Sequence, residues 1–137
     1  MTTDNLATID ERINPYVLLG EGYDPFGIAV RAGLMFPLAE AFKKFACAGI
    51  DGRAKSQDQD IKEAKYSVKR ALKYIEQGYL GKLNYTFVSI DLNDVRGKYA
   101  EVFGQGYIRR HSFQCALGIL MYANSGNVEY LKKIVET

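Results

Sequence analysis

The residues with the most chemistry to offer lie close together at 104–112, Gly104-Gln105-Gly106-Tyr107-Ile108-Arg109-Arg110-His111-Ser112. Two glycines leave backbone N–H groups approachable, and a helix starting just beyond them carries partial positive charge at its first turn. Arg109 and Arg110 are each able to grip two oxygens of a phosphate or carboxylate, with His111 and Ser112 as further donors. Gly104, Gly106, Arg109, Arg110, His111 and Ser112 together therefore read as a site for an anionic or nucleotide-type ligand. The stretch has neither the Lys-Ser/Thr pair of a P-loop nor the strand–turn–helix frame of a dinucleotide fingerprint. A plainer reading makes the glycines a helix stop and leaves both arginines in water.

A second set of residues points to a different chemistry. Lys62, Lys65, Lys69 and Lys73, with Tyr66 among them, fall on one stripe of a helix, where they could track a nucleic-acid backbone. From Arg53 to Lys82 eight basic residues face four acidic ones, so this segment carries +4 and the rest of the chain −2. The overall charge of +2 is too small to imply nucleic-acid binding by itself. Lysines on one helix face are, more plainly, a solvated side.

Enzymatic chemistry finds less support. A small hydrolase would have to act through His111, the only histidine, and nothing in the sequence brings Cys47 or Cys115 to it. Both cysteines sit in apolar helical patterns and read as small buried hydrophobes. Two Cys and one His do not complete a structural zinc site. Glu40, Asp60 and Glu63 are too few ligands for magnesium. No catalytic residue, metal or cofactor is expected. Gly20, Gly22 and Gly27 resemble a phosphate loop in composition only, because Glu21 and Asp24 would repel an anion.

The ten tyrosines and seven phenylalanines, without tryptophan, exceed what one small core holds with every hydroxyl satisfied. Tyrosine is enriched at protein interfaces. The expectation is a non-enzymatic binding protein that associates with itself and with a protein partner.

The elements that must position these residues are helical. The long helix is the clearest: Ser56 and Gln59 stand at capping-box spacing, Asp58 and Asp60 complement the dipole, and Gly78 suits the C-cap. Ile61, Ala64, Val68, Ala71, Leu72 and Ile75 recur at three- and four-residue steps on its buried side. Pro37 suits the first turn of a helix reaching about Ala48 and ending at Gly49, with Leu38, Phe42, Phe45 and Ala46 inward; a single longer helix from Pro25, kinked at Pro37, is the alternative. Asp91 or Asn93 is placed to cap a helix through Phe103 that Gly104 ends. Segments 108–124 and 128–136 read as a helical hairpin around Ser125-Gly126-Asn127. Asp4 and the apolar Leu6, Ile9 and Ile13 allow a short helix at the start.

The expected fold is mainly α: one domain over 1–137, a helical bundle or orthogonal array, with room for a short two-stranded β element pairing 16–19 with 83–90. At 137 residues the chain can bury a true core without staples. It shows no signal-peptide pattern and no apolar run of about 18 residues, so a reduced, cytoplasmic protein with no membrane partner is expected.

Overall fold

The computed structural model describes residues 15–48, 57–79 and 89–137. Among them are a 3-10 helix, Pro15–Leu19, and seven α-helices, with no strand. These helices are α1 (Pro25–Ala32), α2 (Phe36–Ala46), α3 (Gln57–Glu76), α4 (Leu92–Phe103), α5 (Gln105–Ile108), α6 (His111–Ser125) and α7 (Glu129–Glu136).

At the centre lies α6, apolar almost all round, as a helix packed on several sides must be. Phe113, Ala116, Ile119 and Leu120 on it are fully buried. Around α6 stand α1, α2, α4, α5 and α7, while α3 packs against α2 and α7. The narrow Ala64–Val68–Ala71–Leu72 stripe of α3 is out of water, and Ile61 and Ile75 pack at its edge. Across that junction Lys44 Nζ meets Glu63 Oε1 at 2.8 Å, both side chains partly shielded. Asp60, in the first turn where its charge complements the dipole, is fully buried.

The helix boundaries follow local chemistry. Asp91 caps α4, its Oδ1 accepting from the N–H of Asn93 at 2.9 Å and of Asp94 at 3.3 Å. Gly126 ends α6 in the left-handed conformation at φ 72°, where a side chain would be strained. Pro25 starts α1 under an Asp24 cap, and Pro37 lies in the first turn of a separate α2. The two are not one kinked helix, because Gly33 turns left-handed and closes α1 first. Helix α2 ends at Ala46 with Cys47 as C-cap, two residues earlier than expected. Ser56, Gly49 and the possible helix from Asp4 lie outside the described residues.

Two expectations are corrected. Residues 16–19 form part of the 3-10 helix, not a strand. Pro15 presets a helical φ, and the turn buries Leu19 while leaving Leu18 in water, so no sheet is needed to cover it. Its intended partner lies mostly outside the described residues, and Ser89 and Ile90, which are described, belong to no strand. The side chain of Asn124 takes the place of a neighbouring strand: its Oδ1 accepts from Ile90 N–H at 2.9 Å and its Nδ2 donates to Ile90 C=O at 2.8 Å. The hairpin's first helix begins at His111, not Ile108, because the short helix α5 intervenes.

The loop before α1 is pinned rather than loose. Tyr23 donates to Asp94 Oδ2 at 2.7 Å, and Arg31 and Lys98 lie over its ring. Arg31 also donates to Gly22 C=O at 2.8 Å. A β-carbon at Gly27 would stand 2.6 Å from Asp24 Oδ1 and 2.8 Å from Gly22 Cα, so only glycine fits there. That loop is a structural joint.

Candidate binding sites

The first candidate is the start of α6. Arg110 occupies the N-cap position in an extended conformation, and no side chain caps the helix. Its guanidinium lies 4.2 Å above the ring of Tyr107, which stacks in turn on Tyr99 and packs at a tilt against Phe103 and Phe113. That aromatic bed holds the plane of the arginine. Nε and Nη2 are sealed from solvent and have no acceptor, and the same is true of Ser112 Oγ, in a residue only 2% exposed.

Of the six residues expected to form the anion site, Ser112 is thus buried with an unmatched hydroxyl, and Arg110, itself only partly buried, holds two unmatched donors away from water. Arg109 is exposed at the end of α5, and Gly104 and Gly106 are exposed as well. Gly104 is also the C-cap of α4, with φ 99°, so its conformation serves the chain reversal. The ring of His111 turns away to Thr137 Oγ1, 3.2 Å from Nε2, and to Cys115 Sγ, at 3.5 Å.

The Cys115–His111 contact corrects the expectation that neither cysteine meets the histidine: a spacing of four residues on one helix brings the two side chains together. Chemically it does not look like an activated pair. Burial pushes the Cys115 thiol up, against smaller opposing effects of the Thr137 hydrogen bond and the Lys65 charge. A nucleophilic cysteine needs the opposite shift.

The second candidate is the outer side of α3 and its neighbours. Lys62, Lys69 and Lys73 are exposed and Lys65 half-buried, and none of the four forms an ion pair among the described residues. Beside that stripe Arg70 bridges two tyrosines one turn away on either side, donating to Tyr66 Oη at 3.4 Å and Tyr74 Oη at 3.5 Å. Those bonds, Tyr74 first, hold the guanidinium pKa above its ordinary value. Tyr79 meets Tyr74 edge to face at 5.9 Å.

Sequence reasoning missed the continuation of this strip across α2 and α1. Phe36 is 76% exposed and Phe26 78%. A groove of about 420 Å³ lies between them, lined by Ala29 and Ala39 and edged by Asp24, Glu40 and Lys43. A smaller hollow of about 150 Å³ joins Phe36 and Glu40 to Tyr66 and Arg70. The available signal was positional: Phe26 and Phe36 each stand at a helix start beside a proline, off the buried stripe.

Among the described residues no helix is long and apolar enough to cross a membrane. No family model, curated protein or solved structure matches this chain, so its sites are read from their own chemistry.

Proposed function

We propose that the chain is a binding protein that pairs with a second copy of itself through the strip formed by Phe26, Phe36, Tyr66, Arg70 and Tyr74. The observation that carries this reading is the exposure of large rings side by side along one groove. At 150–250 Å² per aromatic side chain, Phe26, Phe36, Tyr66 and Tyr74 leave on the order of 500 Å² of ring surface in water. That reaches the largest patch usual for a monomer, and such patches mark interfaces. It is also a large share of the roughly 800 Å² each partner contributes to a standard interface.

A two-fold pairing requires one patch to carry both halves of each contact. Here a protruding ring lies next to a groove, and Glu40 lies near Lys43 and Arg70. Sedimentation velocity from low to high micromolar concentration tests the reading. The wild type is expected to sediment as a dimer, and Phe36→Asp, a change at an exposed position, as a folded monomer. A wild type that remains monomeric throughout overturns it, as does a variant that pairs like the wild type.

A second reading rests on the unpaired lysines. Lys62, Lys69 and Lys73 beside the Tyr66–Arg70–Tyr74 ladder offer phosphate contacts next to stacking rings, the combination used for single strands. Single-stranded RNA is expected to bind with an affinity that falls steeply with salt, and Lys69→Glu with Lys73→Glu to abolish it. Salt-independent retention, or none at low salt, eliminates this reading.

A further inference from the structure

Arg110 presents an unusual arrangement. Nε and Nη2 are the adjacent nitrogens on one edge of the guanidinium, the side fork whose two parallel N–H groups match two oxygens of one phosphate or carboxylate. Both are enclosed and lack an acceptor. Donor atoms shielded from water in proteins are ordinarily hydrogen-bonded. Tyr107, 4.2 Å beneath the guanidinium, supports its face but takes no hydrogen bond from its edge.

Two residues on, in the first turn of the same fifteen-residue helix, the hydroxyl of Ser112 is enclosed and equally unmatched. The local chemistry is therefore one-sided. A fixed cation, a hydroxyl donor and the positive end of a helix that no side chain caps lie within three consecutive residues. All three favour the same kind of ligand, a compact oxyanion.

We infer that the start of α6 is an oxyanion site, in which the Nε–Nη2 fork of Arg110 and the Ser112 hydroxyl hold a phosphate group, free or as a monoester. Arg109, in water on α5, takes no part. His111 takes none either, its Nε2 being occupied by Thr137 and Cys115. The enclosure of the donors means that the anion enters with a local opening around Arg110. Entry is then slower than for a surface ion, and binding persists at salt concentrations that screen exposed charges. The site does not depend on self-association.

The test is a titration of the full chain with inorganic phosphate at constant ionic strength, followed by amide NMR shifts of the first turn of α6 and by the thermal midpoint. Acetate is titrated in parallel to separate a phosphate site from a carboxylate one. Phosphate is expected to saturate a single site, shift the Ser112 and Phe113 amides and raise the midpoint, with acetate weaker. Arg110→Gln is expected to remove the response. Arg110→Lys keeps the charge without the fork and is expected to bind about tenfold more weakly, while Ser112→Ala weakens binding several-fold. Arg109→Gln is expected to leave it unchanged. Absence of saturable shifts in the wild type overturns the inference, as does an Arg109→Gln loss equal to that of Arg110→Gln. Preference for acetate overturns the phosphate assignment.

Discussion

Phe113→Ala is expected to destabilise the protein by about 3–5 kcal/mol, the largest effect of any single truncation considered. Phe113 has no solvent exposure. Its ring stands 5.3 Å from that of Tyr99 and 5.7 Å from that of Tyr107, and such aromatic pairs contribute about 0.5–1.5 kcal/mol beyond the area they bury. It lies where α4, α5 and α6 meet, so removing it leaves a cavity that no single helix can close. Chemical denaturation should show a lower midpoint with little change in slope, since the native fold is weakened rather than replaced. Phe113→Leu, which refills most of the volume, is expected to recover more than half of the loss. A loss below about 1 kcal/mol for the alanine variant would mean that the ring cluster relaxes freely. Such relaxation would also remove the bed on which Arg110 is fixed.

Asn124→Ala is expected to cost about 2–6 kcal/mol by leaving two backbone groups unpaired, at about 1–3 kcal/mol each. Ile90 is 2% exposed, so water does not readily replace the lost partner. Both bonds, at 2.9 and 2.8 Å, come from one amide that anchors the approach to α4 across thirty-four residues of chain. Asn124→Asp gives a sharper test. Its carboxylate can still accept from the Ile90 N–H but has no proton for the Ile90 carbonyl, which it repels. That repulsion raises the folded-state pKa of the introduced acid, so the variant should gain stability as pH falls through the carboxyl range, when the protonated form donates again. Denaturation of the wild type and both variants at neutral and mildly acidic pH reads this out. Equal pH dependence in Asn124→Asp and the wild type would contradict it.

Helix punctuation was the most legible part of this chain. Asp91, Gly104, Gly126 and the Ile61-to-Ile75 stripe act through contacts within a turn or two, and such contacts are encoded in spacing alone. The 3-10 turn at 16–19 was not legible, because four apolar residues satisfy a strand or a helical turn equally well. Its resolution depended on what lay nearby to cover Leu19. The short helix α5 was similarly hidden, since four residues carry too little periodicity to separate them from α6.

The two candidate sites divide along the same line. Residue type alone showed that the 104–112 stretch holds anion donors and that α3 bears a basic stripe. The His111–Cys115 contact was missed, although its i, i+4 spacing is local to one helix. Which donors turn inward was a tertiary matter: Nε and Nη2 of the partly buried Arg110 are shielded where Tyr107 lies beneath the guanidinium among rings from α4 and α6, whereas its neighbour Arg109 has no such floor. The exposed strip likewise exists only because α1, α2 and α3 assemble with Phe26, Phe36 and Tyr66 on one side. Amphipathic periodicity determines which face of each helix is buried, while the order of packing around α6 decides which of the remaining faces meet.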